Sequence, residues 1–306
     1  MKILIVTSYN NRKIAPFVAE QVGQLRRRGV ACRYLLVRGH GICGYLRNLP
    51  RLRRIVAQWQ PDIVHAHYGL CGLLATLQHQ RPVVVTFHGS DLTMRLTRPL
   101  SRRAGRRAKH CIFVSPQLAA MAHAQADRST ILPGGVDTAT FAPMDTTEAR
   151  RQLGLDPDGR YVLFSSDFKT HVKNYTLARK ALRLCHDTTL LELKNRDRRT
   201  IMLMLNAANL LLLTSRREGS PQIVKEAIAC NCPIVSVDVG DVAQQVEGID
   251  ACHIVAHHPQ AIADACKKLT DNPVRSNGRP LLEARGLTLD QTTDKLITLY
   301  NDLCRQ

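Results

Sequence analysis

Two glutamates stand eight positions apart in Arg217-Glu218-Gly219-Ser220-Pro221-Gln222-Ile223-Val224-Lys225-Glu226. Just upstream, Asn209-Leu210-Leu211-Leu212-Leu213-Thr214-Ser215 reads as a buried strand that ends in polar residues. Ser220 is placed to act as an N-cap and Pro221 as a first helical residue, so the spacing predicts a helix over 221–229. Glu218 then sits on the loop and Glu226 in the second helical turn. The unpaired amides of a helix start attract an anion. A carboxylate that grips a hydroxyl, an anion site and a second carboxylate together suit a sugar nucleotide. A solvated pair of glutamates flanking an ordinary helix start would show the same spacing, so the neighbouring segments must decide.

The elements that would hold these groups alternate strand and helix along the whole chain. Strands are expected at 1–6, 31–37, 62–65, 82–87, 111–114 and 130–132, with helices at 14–28, 46–58, 70–78, 95–109 and 117–123 between them. A short helix over 147–153 follows, amid Pro143, Pro157 and Gly159. A second set of strands is expected at 161–164, 190–193, 210–213 and 234–237, and a last helix at 289–303. Continuous apolar strands separated by amphipathic helices imply α/β domains with doubly wound parallel sheets. The expected division is a first domain over 1–142, a linker over 143–159, a second domain over 160–288 and a terminal helix over 289–306 that crosses back. Ligands bind such sheets at the carboxyl ends of their strands, so the two domains are expected to face a shared cleft.

The 306 residues suffice for two domains of about 150 residues. No run approaches the roughly 18 apolar residues of a spanning helix, and the short apolar start reads as a strand rather than a signal peptide. Ten cysteines lie scattered without a Cys-x-x-Cys pair, which fits reduced thiols and a cytoplasmic location. The formal charge of +18 is uneven, because residues 1–145 hold 21 Lys and Arg against 6 Asp and Glu. Seven of these basic residues fall between Arg95 and Lys109. Such a face suits anionic lipid at the inner side of a membrane or an acidic substrate. Nucleic acid is not expected, since aromatic residues make up only 5% of the chain and no binding motif appears.

Four further segments fall at strand ends or helix starts. They are His65-Ala66-His67-Tyr68-Gly69, His88-Gly89-Ser90-Asp91, Lys173-Asn174-Tyr175 and Gly240-Asp241, the last with Asp241 as the expected cap. Each alone is as readily structural. Together they offer a cation, imidazoles, carboxylates and helix-start amides. His65 and His67 share one strand face, but no third metal ligand is evident.

These segments resemble the family 4 (group 1) retaining glycosyltransferases of the two-domain GT-B type over nearly the whole chain. The most specific matches are Glu218 to Glu226 and Ser236-Val237-Asp238-Val239-Gly240-Asp241. Pro133-Gly134-Gly135-Val136-Asp137 looks like the family's interdomain signature. The segments around His65 and His88 look like a bacterial surface-polysaccharide subgroup that includes teichuronic acid glycosyltransferases. The resemblance implies that Glu218 holds donor-sugar hydroxyls, Glu226 the ribose, and Lys173 the diphosphate, aided by Gly219, Ser220, Pro221 and Gln222. It places His88 near the reacting carbon, Asn174 beside the donor, and the base near Asn195. The acceptor side falls to Asn10, Asn11, His67, Tyr68 and Asp91.

Two positions depart from the family pattern. Asn10-Asn11 stand where many relatives carry Gly-Gly, and Phe168 stands where many carry an arginine, with Lys169 beside it to share the phosphate role. Glycosyl transfer of this type needs a fixed cation and amides for the departing diphosphate, and no metal or cofactor is expected. Asp156-Pro157-Asp158 matches a metal-binding pattern in letters only and falls in the linker. The expected partners are a UDP- or GDP-sugar donor and a saccharide or lipid-linked saccharide acceptor. A non-catalytic nucleotide-sugar-binding partner and a GT-B-shaped epimerase remain as alternatives.

Overall fold

The structure, a computed structural model, describes residues 1–305. The chain divides into two compact units, Met1–Gly135 together with the helix Leu289–Arg305, and Val136–Thr288.

The first unit is built on a six-stranded parallel sheet of β1 (Lys2–Ser8), β2 (Ala31–Val37), β3 (Ile63–His67), β4 (Val83–Phe87), β5 (His110–Phe113) and β6 (Ser129–Ile131). Its order is β2-β1-β3-β4-β5-β6. Strand alternation sorts the core onto two faces. Ile3, Ile5, Ile63 and Val84 pack with Val18, Val22 and Leu25 of the helix Pro16–Arg27. Leu4, Val6, Val64 and Val85 pack on the other side with Leu52 and Val56. The final helix joins the first of these faces through Leu296, Tyr300 and Leu303. Arg28 holds its start by pairing with Asp290 at 2.7 Å and with Asp294.

The second unit carries β7 (Arg160–Phe164), β8 (Thr188–Glu192), β9 (Leu210–Leu213), β10 (Ile234–Val237) and β11 (Cys252–Val255), all parallel. Read from its other edge, the order β8-β7-β9-β10-β11 repeats that of the first five strands of the first sheet. Each sheet therefore reverses its winding at one place, between β1 and β3 and between β7 and β9. Loops leaving the strands on either side of a reversal diverge and leave room for a ligand.

The stretch 143–159, expected as a linker, lies within the second unit. Phe141 is fully buried in that unit's core. Asp145 caps the helix Thr146–Leu153 by accepting from the Glu148 amide at 2.9 Å, and Arg150 ties this helix to the Ala207 carbonyl at 3.0 Å. Asn206 bonds both the Met144 amide and the Ala142 carbonyl. The chain instead passes between units at Gly135 and returns after Thr288, and Val136 and Thr288 are bridged in parallel.

Several elements differ from expectation. The helix foreseen over 46–58 is two, Gly41–Leu46 and Leu49–Trp59. Between them Asn48 directs its side-chain amide to the carbonyls of Arg38, Gly44 and Tyr45. The basic helix starts at Arg98, not Arg95, with Pro99 in its first turn, where a missing amide costs no bond. β11 was not foreseen, because an edge strand with His253 in its middle lacks a continuous apolar run.

Candidate active site

At the reversal in the second sheet, two loops meet. The loop after β7 runs into a short turn, His171–Lys173, and then Asn174, whose left-handed backbone (φ 55°) turns the chain into the helix Tyr175–Leu182. The loop after β9 holds this turn from behind. Thr214 Oγ1 donates to the carbonyls of Lys173 and Asn174 at 3.0 and 3.1 Å, and the Arg216 amide donates to the Val172 carbonyl at 2.9 Å. The two loops close on the ion pair of Lys173 Nζ with Glu218 Oε1 at 2.7 Å, the two side chains being only 18% and 12% exposed. Two residues 45 positions apart are thus brought together by strand order. Partly buried charges of this kind are screened little by solvent and stay fixed in direction.

The helix Gln222–Ala229 begins beside this pair. Its cap differs from the expected one. Pro221 occupies the N-cap position without a side-chain cap, and Ser220 Oγ faces sideways. That hydroxyl accepts from Lys225 Nζ at 2.9 Å and from Gln245 Nε2 at 3.2 Å, and it bonds to the Asp241 carboxylate. Asp241 likewise leaves its helix uncapped and accepts from Gln245 at 2.5 Å. Lys225 is fully buried, and that burial, opposed by Asp241 and Glu226, lowers its pKa to about 8. Burial raises the pKa of Asp241, with Lys225 opposing. This network fastens the Glu218–Pro221 loop to Gly240-Asp241. Gly240 has a left-handed backbone (φ 60°), and a Cβ there would meet Glu218 Cβ and the Gly219 carbonyl at 3.0 Å, so only glycine lets the two segments approach.

Glu226 is not open as the family pattern suggests. It is buried and paired at 2.8 Å with Arg198, whose guanidinium lies 4.4 Å from the centre of the Phe141 ring. Burial raises its pKa and Arg198 opposes the shift. Asn195 is exposed in a turn with φ 51°, and Lys169 is exposed on the β7 loop. Phe168 fills the place of the family's arginine by stacking on Tyr175, with ring centres 4.2 Å apart. Asn174 is buried and shares a 3.2 Å hydrogen bond with His257. Asp156 Oδ1 accepts the Asp158 amide at 3.0 Å, so those carboxylates belong to a local turn.

At the reversal in the first sheet a cavity of about 520 Å³ is lined by Asn10, Asn11, Tyr45, Tyr68 and Asp91, among others. Asn10 spends both ends of its amide on Gly39, donating to the carbonyl and accepting from the amide at 2.9 Å, and so shapes the rim. Tyr68 has a left-handed backbone (φ 73°), an uncommon conformation for a non-glycine residue, and its ring lies 4.7 Å from that of His88. Asp91 lines the cavity while its carboxylate takes the amides of His88 and Gly89, at 3.3 and 2.8 Å.

His67 was expected at the acceptor side, but it is buried behind His88 and does not line this cavity. It belongs to a file of side chains that runs through the sheet. Tyr300 bonds His65 Nδ1 at 2.5 Å, Thr86 bonds His65 Nε2 at 2.7 Å, the His65 and His67 rings lie 4.5 Å apart, and His67 Nδ1 meets His88 Nε2 at 3.1 Å. Burial lowers the pKa of His67 to about 3, and burial with the neighbouring imidazoles holds His65 well below its usual value. Both are therefore neutral near pH 7. Arg198, Lys225, Gln245, Tyr300 and Thr86 were missed from sequence. The one signal was Lys225, which with Glu226 sets charge between the apolar pair Ile223-Val224 and Ala227-Ile228-Ala229.

A family model described as Glycosyltransferase Family 4 matches residues 12–140, and one described as Glycosyl transferases group 1 matches residues 162–272. This chain belongs to the family 4/group 1 glycosyltransferases. Among relatives of this glycosyltransferase is the D-inositol 3-phosphate glycosyltransferase of Mycolicibacterium gilvum, 24% identical over 85% of this chain and 70% of the relative. TuaC of Bacillus subtilis, named for teichuronic acid biosynthesis, is 25% identical over 67% of this chain and 60% of the relative. Anabaena HepE, solved in complex with UDP, shares the GT-B fold with a TM-score of 0.79 at 15% identity, over 99% of this chain and all of HepE. Among the described residues no helix is long and apolar enough to cross a membrane.

Proposed function

We propose that this glycosyltransferase moves a sugar from a nucleotide-diphosphate donor to a saccharide or lipid-linked saccharide acceptor in cell-surface polysaccharide synthesis, with retention at the anomeric carbon and without a metal. The observation that carries the reading is the Lys173–Glu218 pair at the sheet reversal, beside the start of the helix Gln222–Ala229. Lys173 and the helix-start amides take the diphosphate, with Lys169 at the loop edge. Glu218 accepts hydroxyls of the donor sugar. Glu226, buried against Arg198, is assigned to the ribose, and the turn at Asn195 to the base. His88 meets the transferring sugar, and the cavity at Asn11 and Tyr68 takes the acceptor. As the bond from the anomeric carbon to the diphosphate breaks, negative charge grows on the leaving oxygens, and a fixed cation lowers the barrier without reorganising. The acceptor hydroxyl bonds that carbon and gives up its proton to the departing diphosphate. UDP bound to HepE agrees with a nucleotide-diphosphate donor, and TuaC, named for teichuronic acid biosynthesis, with a role in polysaccharide synthesis.

Thermal unfolding with UDP, GDP or ADP, in EDTA throughout, tests the donor site. A matching nucleotide at a hundred times its dissociation constant adds about 2.7 kcal/mol to the wild type and far less to Lys173→Ala. No shift with any nucleotide, or a shift that EDTA abolishes, overturns the reading.

A further inference from the structure

The arginines of the first unit are grouped in a way that the donor and acceptor sites leave unexplained. Arg98, Arg102 and Arg106 recur every fourth residue on one face of the helix Arg98–Arg107, and Arg95 precedes them. With His123 they line a cavity of about 540 Å³ to which no carboxylate contributes. Two of them are fixed by the main chain. Arg98 Nε donates to the Leu92 carbonyl at 2.7 Å, and Arg102 donates twice to the Met121 carbonyl, at 3.0 and 2.7 Å. The guanidiniums of Arg95 and Arg106 have no protein partner among the described residues. Like charges four apart on a helix repel, so this cavity holds uncompensated positive charge within a half of the chain that is already strongly basic.

Beside the charge lies apolar surface. Leu96 is 87% exposed, and Met94 and Met121 are 45% and 39% exposed. No phenylalanine, tyrosine or tryptophan is among the exposed large apolar residues or the residues lining the cavity, so bases would find only the His123 ring to stack on. Met94 and Thr97 also line the cavity at Asn11 and Tyr68, so the segment 94–98 borders both cavities.

We propose that the arginine cavity binds the phosphates of anionic lipid headgroups and seats the first unit on a bilayer, with Leu96 entering the boundary of the acyl chains. Arginine pairs phosphate oxygens through its planar fork, and clustered basic residues beside an exposed apolar side chain bind anionic membrane surfaces. The same bilayer then presents a lipid-linked acceptor to the neighbouring cavity. That last step rests on the acceptor reading above, but headgroup binding does not.

Sedimentation of the full chain with vesicles tests the proposal without donor or acceptor. Vesicles of phosphatidylcholine mixed with phosphatidylglycerol are expected to capture at least about tenfold more protein than phosphatidylcholine alone. Arg95→Ala combined with Arg106→Ala, which removes no hydrogen bond within the protein, loses about tenfold or more of that binding. Leu96→Ser weakens it several-fold with charge unchanged. Equal capture by both vesicles, or an unaffected double variant, overturns the proposal. So does binding of soluble pyrophosphate as strong as that of vesicles at equal phosphate, or displacement by a single-stranded oligonucleotide at lower concentration than lipid. The nucleotide-dependent shift in unfolding is read separately, so failure of the donor reading is told apart from failure here.

Discussion

The two sheets reverse their winding at equivalent places, yet they equip those places with opposite kinds of chemistry. The second unit gathers charge: Lys173 with Glu218, Arg198 with Glu226, and buried Lys225 linked to Asp241 through Ser220. The first unit backs its reversal with neutral groups, His65, His67, Tyr68 and Tyr300 behind or beside His88, and its cavity wall carries Lys13 and Asp91 as its charged side chains. Strand order alone therefore makes room for a ligand, and the loop residues decide its kind. Fixed charge suits a diphosphate that gains charge as it leaves. Amides and phenols, as on Asn11, Tyr45 and Tyr68, suit hydroxyls that must be oriented without being ionised.

The sharpest way to break this contrast is to remove the cation. Lys173→Ala is expected to lower kcat/KM on the order of 100- to 1,000-fold, the scale of a lost group that stabilises developing charge. Initial rates with a nucleotide sugar check it, and a loss of only a few-fold would mean that charge at this reversal is structural. Next in size is Lys225→Ala. Its ammonium and stem are buried, so removal opens a cavity and leaves Asp241 and Ser220 without their cation, at about 3 kcal/mol in urea unfolding. If stability is kept while turnover falls, the network positions the Glu218 loop and contributes little to the fold.

Much of this architecture is legible from the chain, and the illegible parts share a cause. Runs such as Val83–Phe87 and Leu210–Leu213 announce buried parallel strands because nothing polar interrupts them. Lys173 and Glu218 are legible as loop residues before helices. Their pairing is not, because it exists only once β7 lies next to β9. His65 and His67 are legible as neighbours on one strand, but the tyrosine that completes the file is 235 positions away. The unit boundary was misplaced for a similar reason. Pro143, Pro157 and Gly159 look like a linker until the side chains of Arg150 and Asn206 bind that stretch to the second core.

Acid separates the two regions by a graded effect. Below about pH 6.5 an unfolded imidazole binds a proton, whereas folded His67 binds none until about pH 3 and folded His65 is likewise held neutral. The unfolded state therefore takes up more protons as pH falls below 6.5, and stability falls with it by about 1.4 kcal/mol per pH unit for each histidine. Hydrogen exchange should locate this loss in the first unit, and His67→Gln should remove one histidine's share of the slope. Stability that is flat between pH 7 and about 5 would break the assignment of a neutral file.

The smallest expected effect sharpens what the first cavity does. Asn10→Ala removes two hydrogen bonds to Gly39 on a partly exposed rim, at about 1 kcal/mol of stability. Because Asn10 shapes the rim of the cavity proposed for the acceptor and has no part in the charged site, the variant should raise KM for the acceptor several-fold and leave KM for the donor unchanged. Steady-state rates with each substrate varied in turn decide it. A rise in donor KM would tie the Asn10 loop to the donor and end the division between a charged reversal for the donor and a neutral one for the acceptor.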